Sequence, residues 1–445
     1  MASGGSGVPA ESWGRMVGTG QIVASDDLPR DTMGAVLCRG LGRSYGDSSL
    51  PAASTDRIVQ TPLADRILSF DTVSGLLTVE AGFSLDELNR LFLRRCWFTP
   101  VTPGTKFVTV GGMVASDVHG KNHHKSGCFG EHVTWMKLRL ANNEVVECSP
   151  HANADLFDAT IGGMGLTGHI LEVEFRMEKV SSPWIWMESQ QVPNIDAFLR
   201  ALKDAGPKWP MTMGWIDCVS KGKLMGRGIL IVGRWATAAE APKHAPPEKR
   251  KLTLPFNLPS WALNPFTARI FNELVYRKHG AKMRRGISHP DSFFYPLDVI
   301  HHWNRGYGKR GFTQYQCVLP EAAGLAAPRE FLELLTSFGL ASPLCVIKDC
   351  GAQGRGLLSF PMPGTSIAVD LPIRDNTPDA VAALNQFVIV KGGRMYLTKD
   401  NFTSAQDFRA MEPRLPAFEE ARKKWDPQRR LRSAQSVRML GDALP

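Results

Sequence analysis

Glycines, cations and hydroxyl side chains crowd into three short stretches of this 445-residue chain. The first is Arg39-Gly40-Leu41-Gly42-Arg43-Ser44-Tyr45-Gly46-Asp47, followed by Ser48. The second runs from Pro103 to Gly120 and holds Gly104, Thr109, Val110, Gly111, Gly112, Ser116, Asp117, Val118 and His119, continuing into Lys121, Asn122, His123 and His124. The third is Ile161-Gly-Gly-Met-Gly-Leu-Thr-Gly168. Glycine has no Cβ and tolerates positive φ, so backbone N–H groups can close on a phosphate. Arg43, Ser44 and Thr109 add side-chain donors. One such loop is commonly a tight turn. Three of them between Arg39 and Gly168, two carrying hydroxyls and cations, are better explained by a dinucleotide pyrophosphate.

Gly163-Met-Gly-Leu-Thr-Gly168 spells GxGxxG, but a Rossmann loop follows a strand and opens a helix. Here the helical pattern ADLFDATI precedes it and the alternating strand HILEVEFRM (169–177) follows. The dinucleotide must therefore sit in another architecture. His119, His123 and His124 suggest a metal at first sight. Lys121 and Lys125 would repel a cation, and no CxxC or HExxH pattern accompanies them, so no metal is expected.

Composition is that of a soluble globular protein with 43% hydrophobic and 21% charged residues, long enough for two or three domains. The N-terminus MASGGSGVPAESWGR lacks an apolar signal core and no apolar run would span a bilayer, so a cytoplasmic protein is expected. Its eight scattered cysteines read as reduced core thiols. The net charge of +9 invites a nucleic-acid reading. Most of the excess lies between Lys243 and Arg285, with ten Lys/Arg against two Asp/Glu. That stretch is broken by five prolines and interleaved with Phe256, Leu258, Trp261, Phe266 and Phe271. A nucleic-acid binder spreads basic residues over a recognition element, whereas this pattern suits an anionic, partly apolar surface such as a membrane face. A solvated loop is the plainer reading.

The elements that must position these residues follow from periodicity. GLLTVEAG (75–82) reads as a strand, and Ser84-Leu-Asp-Glu87 as a capping box opening a helix through Cys96. Beyond 183, MTMGWIDCV, GILIVGRW, TQYQCVL, PLCVIKDC and SIAVDLPI read as strands. IDAFLRALK, APREFLELLTSF and the segment opened by Thr377-Pro378 read as helices. An antiparallel sheet with helices is the usual build of a domain that covers a substrate.

Together these segments resemble the PCMH-type FAD-binding domain of the vanillyl-alcohol-oxidase superfamily. They are more similar still to its decaprenylphosphoryl-β-D-ribose 2-oxidase branch, the flavin half of the epimerase that makes the arabinose donor of mycobacterial cell walls. GLGRSYGD, HGKNHH (119–124), PLD…WNRGYG (296–308), QYQCVLP (314–320), LSFP-x-PG (358–364), GGR-x-Y-x-x-KD (392–400) and Asp426-Pro427 carry the likeness along essentially the whole chain.

The resemblance implies an α+β fold of two α/β subdomains holding FAD, with an antiparallel cap. The expected domains are 1–182 for FAD, 183–391 for the cap and 392–445 returning to the FAD domain. Arg39 to Ser48 would wrap the pyrophosphate. Gly104, Thr109, Val110, Gly111, Gly112, Ser116, Asp117, Val118 and His119 would line the flavin and ribityl chain, Ile170 the adenosine side, and Tyr396 and Lys399 the isoalloxazine. The Lys399 ammonium would stabilise charge that develops at the flavin's pyrimidine edge. His119 and Tyr45 are both candidates for the general base, and a buried structural His119 is an equal alternative. Lys121, Gln314, Gln316, Lys348 and Asn401 would hold sugar hydroxyls, and Arg305 with the basic segment a lipid-linked phosphate.

Many relatives bind flavin covalently through a first-loop histidine. Arg43 takes that place here, which implies dissociable FAD. Ala368 replaces a pocket cysteine of the mycobacterial family, so capture of a thiol at that position is ruled out. The implied reaction is oxidation of the 2-hydroxyl of a polyprenyl-phospho-ribose, with a separate NAD(P)H-dependent keto-reductase completing epimerisation, peripheral contact with the inner membrane face and no nucleic acid. The alternative is an oxygen-using alditol or aldonolactone oxidase.

Overall fold

The computed structural model describes residues 7–259, 261–340 and 342–444. The expected absence of a leader rests partly on residues 1–6, which lie outside the described residues. Three sheets organise the α+β fold. Val8–Glu11, Val17–Ala24, Arg57–Gln60 and Leu37–Arg39 form a four-stranded mixed sheet in that order. Ile67–Phe70, Leu76–Glu80, His169–Arg176, Val133–Arg139 and Val145–Cys148 form a five-stranded antiparallel sheet. The third has eight antiparallel strands in the order Arg284–Ser288, Ile185–Val192, Gly228–Trp235, Met211–Ile216, Cys345–Cys350, Gly364–Pro372, Phe312–Pro320 and Arg394–Met395.

Strand alternation gives this large sheet two chemistries. Successive side chains point to opposite faces, so residues two apart share a surroundings. Tyr315, Cys317, Cys345, Ile347, Ile367 and Val369 join one apolar core with the helices Ile195–Ala205, Ala327–Ser337 and Thr377–Val390. Phe198, Phe331 and Leu384 from those helices are fully buried there, each contributing roughly 1.5–3 kcal/mol on burial. Gly214 admits Phe198, since a Cβ would stand 2.3 Å from its ring. The opposite face presents Gln314, Gln316, Val346, Lys348 and Ala368 to a cleft.

Local signals are mostly realised, with small differences. Ser84 accepts the Glu87 amide at 3.1 Å, but the Glu87 carboxylate turns to Arg90 instead of closing the box. The α-helix stops at Phe92, and Cys96 ends the following short turn with a φ of 58°. Six of the eight free cysteines are buried, and Cys38 and Cys96 are half-buried. The 243–285 segment contains a helix, Pro265–His279, capped by Asn264 and Thr267.

The chain after the large sheet's last strand folds back over the first glycine loop. Thr398 C=O accepts the Tyr45 amide at 2.9 Å, and Ala434 N–H donates to Leu50 C=O at 3.0 Å. Gly46 lies so close that a Cβ would fall 1.6 Å from Asp400 O. Arg438 donates to Asp47 at 2.9 and 2.7 Å and to Asp400 at 2.7 Å. Burial pushes the Asp47 carboxyl up, against the pull of Arg438. Removing one partner of a buried ion pair strands the other. Arg438→Met should therefore lower the unfolding free energy by about 3 kcal/mol in urea titrations. A loss within about 0.5 kcal/mol, the usual effect of a surface substitution, would leave the clamp without structural weight.

Candidate active site

The cleft lies between the glycine-bearing loops and the polar face of the large sheet. From the first loop Gly40, Leu41, Gly42, Arg43, Ser44, Tyr45 and Ser48 line it. Gly104, Thr109, Gly111, Gly112, Ser116, Val118, His119, Lys121 and Ile170 line it from the second loop and the five-stranded sheet. Gln314, Gln316, Lys348, Tyr396 and Lys399 close the far wall. Sequence-distant candidates thus share one space.

The two glycine loops are packed into each other. Thr109 caps the helix Val110–Ala115 by accepting the Gly112 amide, and a Cβ on Gly40 would stand 2.4 Å from Thr109 Oγ1. The Val110 and Gly111 amides go to Phe83 and Ala81 carbonyls. Among the described residues, no protein acceptor takes the amides of Leu41, Gly42, Arg43 or Ser44. Gly42 has a φ of +65°, and a Cβ on Gly104 would meet nothing within 4 Å. A run of unused donors beside open backbone suits the diphosphate of FAD.

Several candidates lie behind this surface. Arg39 donates to Ser49 and Glu11 carbonyls and braces the loop from beneath. Gly46 and Asp47 are held by the C-terminal segment, and Val110 is buried in the core. Asp117 accepts from Gly130 N–H at 2.8 Å and from the Ser359 hydroxyl, and burial pushes its carboxyl up to about 6. Asn401 is buried behind Gln314 and Gln316, with both side-chain polar atoms unpartnered. Arg305 does not reach the cleft; it donates to the Leu254 and Pro255 carbonyls at 2.9 Å and so organises the outer lip.

At the reacting end, the Lys399 ammonium sits 3.8 Å from the centre of the Tyr45 ring. Enclosure, which penalises charge, lowers Lys399 to about 7 despite Asp370 nearby, and Lys121 to about 7 as well. It also lowers Lys348. Lys121 donates to Phe294 C=O at 3.0 Å. His119 lies between Phe360 and Tyr396, with Nε2 3.1 Å from the Gln316 side-chain nitrogen and Nδ1 unpartnered. Burial and the neighbouring Lys348 hold its pKa well below the usual value, so the ring is neutral. Burial raises the Tyr45 phenol, and Tyr396 donates to Ser116 C=O at 2.8 Å.

Sequence reasoning missed Asp370 and Trp13. Asp370 accepts from Gln314 at 2.6 Å and from the Tyr307 hydroxyl at 2.9 Å, and burial raises it to about 6. Its signal was available, as the one carboxylate in the apolar strand SIAVDLPI. Trp13 carried no signal. Ala368 presents a methyl to the cleft between Gln316 and Val346.

Residues 21–149 match the FAD binding domain family. The chain is 36% identical to the decaprenylphosphoryl-beta-D-ribose oxidase of Mycolicibacterium smegmatis, over 93% of this chain and 94% of that one. It is 29% identical to an uncharacterised protein of Streptomyces coelicolor, over 77% of this chain and 96% of the relative. To mouse L-gulonolactone oxidase it is 28% identical, over 45% of this chain and 48% of that one. With likeness to the mycobacterial protein over nearly its whole length, and a cleft whose donors fit FAD, the chain belongs to the decaprenylphosphoryl-beta-D-ribose oxidase family and is an FAD-dependent oxidoreductase.

Proposed function

We propose that this chain oxidises the 2-hydroxyl of a polyprenyl-phospho-β-D-ribose to the 2-keto sugar, a step that a separate NAD(P)H-dependent keto-reductase follows. The observation that carries the reading is the polar wall of the large sheet. Gln314, Gln316 and Lys348 face the cleft beside Lys399 and Lys121, a donor-rich surface matched to a sugar's hydroxyls. In this reading 1–182 is the FAD domain, its two subdomains built on the four- and five-stranded sheets. Residues 183–391 are the cap, and 392–445 complete the site. FAD is dissociable, because Arg43 stands where relatives carry the linking histidine.

When bound, FAD supplies the acceptor for a hydride from the carbinol carbon. The chain's residues handle the proton and the charge. Neutral His119 accepts from the Gln316 amide at Nε2, and exchanging that bond for the substrate hydroxyl would let the ring take the proton, whereas Tyr45 keeps its own and can donate. Lys399 in its charged form stabilises negative charge as it develops. Gln314, anchored by Asp370, and Lys348 orient the ring.

Peripheral membrane contact is part of the same reading, supported by the helix Pro265–His279. Its inward face is largely polar: beside the buried Ala268, Asn272 donates to Asp217 at 2.8 Å, Glu273 meets Arg227, and His279 meets Ser189 at 2.9 Å. Its outward face carries Phe266 (72% exposed), Ile270, Phe271 and Leu274 (63%), with Arg269, Arg277 and Lys278 exposed alongside. Such an inversion leaves apolar area in water unless an apolar phase covers it, and the cations favour an anionic one. No described helix is long and apolar enough to cross a membrane.

Acid precipitation should release the yellow cofactor to the supernatant, and a polyprenyl-phospho-ribose should bleach the flavin anaerobically. Bleaching by an aldonolactone alone would transfer the function to the lactone-oxidase class. Lys399→Ala should slow flavin reduction about a hundredfold or more while FAD stays bound. The ammonium is lost as pH rises, so reduction by wild type should decline above about 7, or higher where the cofactor's charge adds to that of Asp370. The Ala variant should lack that limb; a shared limb would assign it to another group. Phe266→Ser/Ile270→Ser/Leu274→Ser should abolish co-sedimentation with phosphatidylglycerol vesicles, and wild-type sedimentation by that variant would remove the helix from the contact.

A further inference from the structure

Arg43 is an arginine without an acceptor. Its guanidinium is clamped between aromatic rings, its carbon 4.0 Å from the centre of Trp13 and 5.2 Å from that of Phe107. Nε is sealed from solvent with no partner, and among the described residues no hydrogen bond uses any of its donors. A guanidinium offers five donors in a fixed fork and cannot shed its charge. Enclosing it unsatisfied is costly, so the arrangement is built for a ligand that brings acceptors.

One more cation and a neutral imidazole gather at the same ring from the cap. Lys251 Nζ lies 4.7 Å from the centre of Phe107, and the His301 ring 5.6 Å. A short parallel pairing, Leu252 with Ile300 and Thr253 with His301, brings their two segments together at the lip. The carboxylates nearby are partly engaged by Lys106 and its neighbour Thr105. Asp86 and Asp291 grip Lys106 at 2.8 and 2.9 Å, leaving Lys251 a loose 3.7 Å contact with Asp86. Asp298 faces Arg43, but its Oδ2 takes the Lys106 amide and the Thr105 hydroxyl.

We propose that Arg43, with Lys251 and His301 at the lip, forms a phosphodiester subsite that holds the phosphate of the substrate. The proposal rests on the oxidase reading above, and replaces Arg305 in that role. Arg43 is two residues from Tyr45, whose ring carries Lys399, and both line the same cleft, so a phosphate here borders the reacting end. The same chemistry would suit the cofactor's pyrophosphate. Lys251 and His301 favour the substrate, because both come from the cap and neither from the glycine loops that hold the unused amides.

The test titrates farnesyl phosphate, with farnesol as its uncharged control, into the FAD-loaded protein and follows the flavin spectrum. Wild type should bind the phosphate more tightly than the alcohol. Arg43→Met should weaken farnesyl phosphate about tenfold or more, and Lys251→Ala and His301→Ala each several-fold, with farnesol unchanged. Equal affinity of wild type for the two ligands overturns the subsite. So does unchanged phosphate affinity in FAD-replete variants. Arg43→Met emptied of FAD, beside lip variants of wild-type affinity, overturns it in favour of the cofactor's pyrophosphate. If the binding pattern holds but wild type leaves polyprenyl-phospho-ribose unoxidised, the subsite stands and the substrate reading falls.

Discussion

Arg438 does not line the cleft, yet two walls of the cleft meet through its guanidinium. Asp47 ends the first glycine loop, and Asp400 follows Lys399 directly; both are nearly buried and both are bound by Arg438. Like charges so placed repel unless a cation sits between them. The arginine thus sets the spacing between the free amides of Leu41–Ser44 and the ammonium of Lys399. Gly46, with its Cα against Asp400 O, makes that spacing a contact distance. A cofactor spanning the two would be gripped by one preformed frame, with little reorganisation left to do on binding.

That frame encloses more positive charge than it neutralises. Lys121, Lys348 and Lys399 share a cleft in which Asp370 supports the charge of Lys399 alone, and enclosure pulls all three below ordinary lysine behaviour. The unfolded chain takes these protons at ordinary lysine values and the folded chain only at lower ones. Each group therefore works against the fold progressively as pH falls from the ordinary value to its lowered one, about 7 for Lys121 and Lys399. An anionic cofactor reverses the sign: the same lysines become its counter-charges. The site's electrostatics are therefore incomplete in the protein alone, and this incompleteness is the physical form that its preference for a dinucleotide takes.

How far the sequence foretold this depends on the range of the interaction. The glycine loops, the reversed GxGxxG order and most strands of the large sheet were legible, because turn chemistry and two-residue alternation act over a few positions. Alternation even separates Gln314, Gln316 and Lys348 from Tyr315, Cys317 and Ile347. What could not be read was which first-loop side chains face inward. Arg39 and Asp47 turn away toward Glu11 and Arg438, partners that no local spacing encodes. The helix Pro265–His279 was legible in principle from Asn264-Pro265, a capping residue before a proline. The density of prolines before it hid the signal, and its inverted polarity has no counterpart in patterns built for helices that face their own core.

Two features of the cap and rim remain unbalanced among the described residues: an apolar helix face turned outward, and an arginine with no acceptor. They differ in chemistry, yet the lip connects them. Arg305 fixes the carbonyls of Leu254 and Pro255, the short pairing at Leu252 and Thr253 places Lys251 beside Phe107, and the same run of chain leads on through the exposed Phe256 and Trp261 to the helix. A ligand with an anionic group at one end and a long apolar tail would meet these features in that order, phosphate at Arg43 and tail along the outward face. A free sugar or lactone would engage neither. On the proposed reading, the polarity of the rim would discriminate between substrate classes that the polar wall of the cleft, taken alone, would accept equally.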